Sequence, residues 1–264
     1  MPITVEIAGS RVRFSTDSAA LLAMLEDRYR NFLQPDTAAE PVAAELQIDV
    51  VLSPPCDGQP DLRVGSTDGI WHMSRGDFDA RWDPMTRRGH IRQTLNPYST
   101  DSVLRIVQSL LLSGDGGFLL HASSMVRHGR AYVFTGPSGA GKTTMTRLAP
   151  SDAVLLTDEI SCVRRSGHEW RAYGTPFAGE LGTSGACVSA PLAGVYRLVQ
   201  GPATSVAPLT PAEGVQTVMR NLLFFAPDAA AGRQVLDTVC DLGASVPVRR
   251  LTFTLDPQVW SALA

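Results

Sequence analysis

The chain has 264 residues, 44% of them hydrophobic and 19% charged, with a net charge of −3. This balance supports a buried core and excludes an extended disordered chain. It offers no basic field for nucleic acid, no polybasic patch for a membrane surface, and no run near the about 18 apolar residues of a membrane-spanning helix. Met1 to Glu6 lack the basic start and apolar middle of a signal peptide. Cys56, Cys162, Cys187 and Cys240 form no Cys-x-x-Cys pair and no metal-ligand spacing with a histidine. They read as buried or half-buried free thiols, and the chain as cytoplasmic.

Residues 1–115 read as an α+β N-terminal lobe. Ile3 to Ile7 and Arg11 to Phe14 suggest strands around a Gly9-Ser10 turn, and Asp17 to Leu33 a helix with Leu21, Leu22 and Leu25 on one face. Residues 34–43 are rich in Pro and Ala and read as a loop. Glu45 to Leu52 alternates as a strand, and Ile70 to Met73, Phe78 to Trp82 and Ile91 to Leu95 suggest a meander. A helix capped by Thr100 or Asp101 follows, with Val103, Ile106, Val107, Leu110 and Leu111 at helical spacing, and the glycines of Ser113 to Gly117 end it.

Residues 116–264 read as a second domain. Phe118 to Val126 and Arg130 to Thr135 form two strands joined at Arg127 to Gly129. A short helix starts at Lys142 and is stopped by Pro150. Ala153 to Thr157 is a buried strand placed beside the strand that enters the glycine-rich loop. Ser161 to Arg165 and Glu169 to Ala172 form a hairpin, Leu192 to Gln200 a strand, Ala212 to Phe224 and Ala231 to Leu242 helices, and Val246 to Leu255 a final strand.

Among 23 basic residues Lys142 is the only lysine, every other being arginine. It falls in Gly136-Pro137-Ser138-Gly139-Ala140-Gly141-Lys142-Thr143, which meets G-x-x-x-x-G-K-[ST] at every specified position. The backbone N–H groups of Gly136, Ser138, Gly139, Ala140 and Gly141, with Thr144 in the first helical turn, would cradle phosphates. Lys142 would neutralise them, and Thr143 would offer its hydroxyl to Mg2+. The expected ligands are therefore a nucleoside triphosphate and Mg2+, the triphosphate being taken as ATP, with GTP left open because no base-reading motif is evident. The buried strand ends in Asp158-Glu159, where one acid can hold the metal and the other accept the proton of an incoming hydroxyl. His121 lies on the strand before the loop strand, and Glu180 in a turn-rich segment from Ala172. Both are further candidates, His121 for the chemistry and Glu180 for the metal or the substrate. The other histidines receive no role.

Together these residues resemble the catalytic domain of the HPr kinase family. The resemblance runs from Gly117 to Val199: Leu120-His121-Ala122-Ser123, the phosphate loop, a strand ending in two acids, then Gly-x-Pro and a glutamate. It implies an α/β fold with a mixed sheet around a P-loop, like that of ATP-type phosphoenolpyruvate carboxykinase. It also implies Asp158 as base for a serine hydroxyl, Glu159 and Glu180 near the metal, and His121 at the active site. Asp-Glu stands where the family has Asp-Asp, which leaves the division of roles open, and the Pro-Gly-Arg-Asn-like loop of the family is missing. The chain looks closer to divergent members associated with ribosomal and lasso peptide biosynthesis. That implies a peptide or small-protein substrate, while the charge balance argues for no nucleic acid and no membrane partner; whether the chain forms a homo-oligomer stays open. A small-molecule kinase of the same fold and a nucleotide-regulated ATPase or binding module are the alternatives.

Overall fold

The computed structural model describes residues 2–35, 41–55, 61–226 and 229–263. The chain divides into two compact units, Met1–Leu111 with Phe224–Gly232, and Leu112–Leu223 with Arg233–Ala264. The fold is mixed α/β, with a mixed sheet in each unit.

In the first unit β1 (Pro2–Ile7) and β2 (Ser10–Thr16) form an antiparallel hairpin whose turn puts Ala8 and Gly9 at positive φ. Then come α1 (Ala19–Tyr29), β3 (Leu33–Gln34), β4 (Ala44–Val50), β5 (Arg63–Thr67), β6 (Ile70–Arg75), β7 (Phe78–Asp83), β8 (Arg88–Gln93) and α2 (Pro97–Gly114). The eight strands lie in the order β3-β1-β2-β4-β8-β7-β6-β5, with β2, β4 and β8 mutually parallel. Alternation along β2 buries Val12 and Phe14, while α1 buries Leu21, Leu25 and Tyr29.

Two expectations change here. The first helix stops at Tyr29, because Leu33 and Gln34 leave it to pair with Val5 and Thr4 as β3. Thr100 and Asp101 do not cap α2, which begins at Pro97 with the Asn96 side chain accepting from the Tyr98 N–H at 3.0 Å. Both residues are instead buried polar anchors. The Thr100 hydroxyl donates to Gln93 at 2.9 Å, and Asp101 accepts from the Tyr29 hydroxyl at 2.6 Å and pairs with Arg28. The strand β5 was not foreseen, and Cys56 lies outside the described residues.

Asp77, between β6 and β7, ties the meander to the start of α2. Its carboxylate accepts from Arg75 Nε at 2.6 Å and Nη2 at 2.8 Å, from Ser99 Oγ at 2.6 Å and from Asn96 Nδ2 at 3.3 Å. The Arg75 hydrogen bonds, aided by Ser99, hold its pKa down to about 2. A depressed carboxylate stabilises the fold fully above its unfolded pKa and loses that contribution as pH falls through the folded value. Asp77→Ala is therefore expected to cost ~1–3 kcal/mol at neutral pH. The difference from wild type should shrink as denaturant melts are taken below pH 4 towards 2.

The second unit carries β9 (Gly117–Arg127), β10 (Arg130–Thr135), α3 (Lys142–Arg147), β11 (Val154–Thr157), β12 (Ile160–Ser166), β13 (Glu169–Tyr173), β14 (Ser189–Gln200), β15 (Ser205–Pro208), α4 (Pro211–Met219), β16 (Leu222–Leu223), α5 (Ala229–Ser245), β17 (Val248–Phe253) and a 3-10 helix, Pro257–Leu263. Its nine strands run β10-β9-β12-β13-β14-β17-β15, with β11 and β16 paired to β9. A parallel pairing of β10 with β14 closes the circuit β10-β9-β12-β13-β14 on itself. The strands β10, β14 and β17 are parallel, so their carboxyl ends share one end of the sheet. An aromatic core of Tyr132, Phe134, Tyr196, Phe253 and Trp260 lies beneath that end.

The main correction concerns β11. It does not lie beside β10, whose second edge is taken by β14; it pairs with β9 on the opposite side. There β11 and β12 behave as one interrupted strand running antiparallel along β9, from Val154 opposite Val126 to Arg164 opposite Gly117. The helix expected to reach Phe224 ends at Met219, because Leu222 and Leu223 pair with Leu120 and Leu119 of β9. The strand β15 and the terminal 3-10 helix were not foreseen. Cys162 is a buried free thiol, whereas Cys187 and Cys240 are exposed rather than buried. Among the described residues no helix is long and apolar enough to cross a membrane.

Candidate functional site

Residues 136–141 leave the carboxyl end of β10 and enter α3 directly at Lys142. Gly141 is at φ 106, and a Cβ there would stand 2.5 Å from the Phe253 ring, so only glycine can lie on that ring. Side chains from distant strands hold the loop in place. Ser123 Oγ of β9 donates to the Lys142 carbonyl at 3.1 Å, and Gln200 Nε2 at the end of β14 donates to the Gly139 carbonyl at 2.9 Å. Trp260 Nε1 donates to Met145 at 3.4 Å, tying the 3-10 helix to α3.

Lys142 is buried, and its Nζ donates to the carbonyls of Gly136 at 3.0 Å and Pro137 at 3.3 Å. Burial lowers its pKa, while the charges of Glu159 and Glu180 act in the opposite direction. Ser138, Gly139, Gly141, Lys142, Thr143 and Thr144 line one cleft. Gly136 and Ala140 do not line it. The Gly136 carbonyl holds Lys142, and the Ala140 N–H donates to the Pro137 carbonyl at 3.1 Å.

The acids reach the same cleft through the break between β11 and β12. Thr157 Oγ1 accepts from the N–H groups of Glu159 and Ile160, both at 3.2 Å, a local turn that competes with the ladder. Pairing resumes where the Ala122 N–H meets the Glu159 carbonyl at 2.9 Å. Asp158 and Glu159 thus join β11 to β12 without a change of register, the one irregularity along this edge lying at Leu156 between Leu155 and Thr157. Asp158 is 3% exposed, its Oδ1 accepting from Gly179 N–H at 2.8 Å and its Oδ2 from Leu181 N–H at 2.9 Å. The carboxylate therefore clasps the loop that carries Glu180. Gly179 is required there, since a Cβ would come within 2.9 Å of Glu159 Cβ and 3.0 Å of Asp158 Oδ2. Glu159 is half-buried and Glu180 exposed. His121, half-buried on β9, faces the cleft, and its carbonyl accepts from Thr135 Oγ1 at 3.0 Å.

A cleft of ≈ 260 Å³ brings together His121, Lys142, Thr143, Asp158, Glu159 and Glu180. Among the described residues no three His, Cys, Asp or Glu side chains converge into a ready cation cage. One hydroxyl and three carboxylates around a buried lysine suit instead a hard cation that arrives with phosphate oxygens and water in its shell. Gln200 and Gly179 also line the cleft and were not anticipated. A long-range hydrogen bond to a carbonyl leaves no local sequence signal, whereas Gly179, one residue before Glu180, could have been read.

A family model described as ScmC, SynChlorMet cassette protein ScmC, matches residues 93–264. That span contains the whole of the second unit. No curated protein matches the chain. Among solved structures, the Hpr(Ser) kinase/phosphatase from Coxiella burnetii aligns at 10% identity and a TM-score of 0.32, over 55% of this chain and 91% of that one.

Proposed function

The chain belongs to the ScmC family of SynChlorMet cassette proteins, and we propose that within it the second unit works as an ATP-dependent kinase. It would transfer the γ-phosphate to a serine hydroxyl of a peptide or small protein, with a ribosomal (lasso-type) peptide precursor as the expected acceptor. One observation carries this reading. The chain's only lysine is buried at the first residue of a helix behind a glycine-rich loop, and it faces Asp158, Glu159 and Glu180 across one cleft.

In this reading the loop N–H groups and the α3 N-terminus receive the β- and γ-phosphates, and Lys142 exchanges its two carbonyl partners for phosphate oxygens. Thr143, Glu159 and Glu180 would hold Mg2+, which when bound neutralises charge on the phosphates. Asp158 accepts the proton as the serine oxygen attacks the γ-phosphorus; the bond to the β–γ bridging oxygen breaks, and ADP leaves. Two of the roughly four lone-pair directions of the Asp158 carboxylate are used by Gly179 and Leu181, which leaves acceptor capacity towards the cleft. His121 stands on the neighbouring strand, where it can orient the acceptor or the terminal phosphate.

The test is transfer from γ-labelled ATP, with Mg2+, to the precursor peptide encoded nearest this gene. Label on one serine, and none when that serine is alanine, is the expected result. Release of free phosphate at an unchanged rate with and without peptide would reject the acceptor and leave an ATPase.

A further inference from the structure

A second concavity of ≈ 470 Å³ opens in the same unit, lined by Pro202, Ala203, Thr204, Thr254, Asp256 and Gln258, among others. Its position follows from the strand order. Residues 202–204 come directly after β14 and residues 254–258 directly after β17, so both walls lie past the carboxyl ends of strands parallel to β10. The two rims are joined, the Gly201 N–H donating to the Phe253 carbonyl at 3.1 Å. The glycine-rich loop leaves the carboxyl end of β10 at the same end of the sheet.

The link between the two hollows is covalent and short. Gln200, which lines the first cleft and bonds Gly139, is two residues from Pro202. Phe253, on which Gly141 lies, is followed at once by Thr254. Two extended residues span about 7 Å, which a nucleoside attached to a bound triphosphate can bridge. The acids lie on the other side, beyond β10 and β9, where β11 joins β12. Across the carboxyl end the order is therefore hollow, loop, acids.

We propose that this hollow is the nucleoside subsite, receiving base and ribose while the phosphate tail runs through the loop towards Asp158 and Glu159. The assignment rests on the kinase reading of the loop. Its chemistry suits an uncharged, flat, hydroxyl-bearing group. Pro202 and Ala203 offer apolar contact, and Leu255, 80% exposed beside the rim, can cover a ring. Thr204, Thr254 and Gln258 supply neutral donors and acceptors. Asp256, whose Oδ1 accepts from the Gln258 N–H at 2.8 Å, is the one carboxylate on the wall and can accept from a ribose diol. No lysine or arginine lines it, so it is not a second anion site.

The experiment compares binding of ATP and of inorganic tripolyphosphate, each with Mg2+, to wild type, Ala203→Trp and Asp256→Asn. Ala203 is exposed in a turn, so the tryptophan fills the hollow without entering the core; thermal melts check that both variants fold. ATP affinity should fall about tenfold or more in Ala203→Trp and less in Asp256→Asn, with tripolyphosphate affinity unchanged in both. Unchanged ATP affinity in Ala203→Trp would overturn the subsite. Equal weakening of both ligands would also overturn it, since the effect would then pass through the loop. Failure of wild type to bind either ligand would reject the phosphate-loop reading itself, a result distinct from both.

Discussion

Lys142→Ala is expected to abolish ATP binding and reduce any phosphoryl transfer by at least about 10²–10³-fold, the range seen when one preorganised charge-stabilising donor is removed. Two effects add. The charge that would meet the phosphates disappears, and no other lysine exists to replace it. The carbonyls of Gly136 and Pro137 also lose their shared donor, leaving the loop with two inward-facing acceptors at ~1–3 kcal/mol each if they stay dry. Lys142→Arg is no substitute, because a planar guanidinium cannot reproduce a compact ammonium held between two carbonyls. Isothermal titration with ATP and Mg2+ measures the binding loss, and a melt separates it from unfolding. ATP affinity within a few-fold of wild type would show that the loop does not use its lysine for phosphate.

Asp158→Asn should leave ATP affinity within a few-fold of wild type and reduce transfer by about 10²–10⁴-fold, the usual contribution of a positioned general base. The variant does more than remove a charge. The carboxylate accepts from two backbone N–H groups, one per oxygen, and an asparagine must present an NH2 to either Gly179 or Leu181. One donor would face another, and the loop carrying Glu180 would loosen. Hydrogen exchange at residues 179–181 should therefore rise in Asp158→Asn and stay unchanged in Glu159→Gln, which leaves the clasp intact. Normal transfer by Asp158→Asn would remove it from the base role, whatever the loop does.

The sequence made the local parts of this molecule readable. The loop, the helix start at Lys142, the two acids and the hairpin of β12 and β13 are contiguous signals, and they give Lys142, Thr143, Asp158 and Glu159 of the six candidate side chains on one cleft; His121 and Glu180 come from neighbouring segments and draw their weight from the family resemblance. What failed to show was pairing order. Val154 to Leu156 read as a buried strand, but nothing in that run says which edge receives it, and β14 occupied the one expected. The start of α2 is legible in Asn96-Pro97 rather than in Thr100 and Asp101, polar residues that are buried because Thr100 meets Gln93 just before the helix and Asp101 meets Tyr29 and Arg28 far along the chain. Gln200, Phe253 and Trp260 support the loop from the last third of the sequence, each through one long-range contact.

Placing β9 between the loop strand and the acid-bearing run has a metric consequence. Thr135 stands opposite Ala122 on one edge, and the Ala122 N–H meets the Glu159 carbonyl on the other, so two ladder spacings, about 10 Å across the sheet, separate the end of β10 from Glu159. A hydrogen-bonded ladder does not stretch, and that span acts as a ruler. In the proposed kinase, ligands seated in the loop would be counted by length: the third phosphate of a chain would reach towards Asp158 and Glu159, while the tail of a diphosphate in the same seat would stop short. Under that reading, discrimination between the spent and the charged nucleotide would follow from strand order, with the segment clasped by Asp158 closing the far end of the ruler.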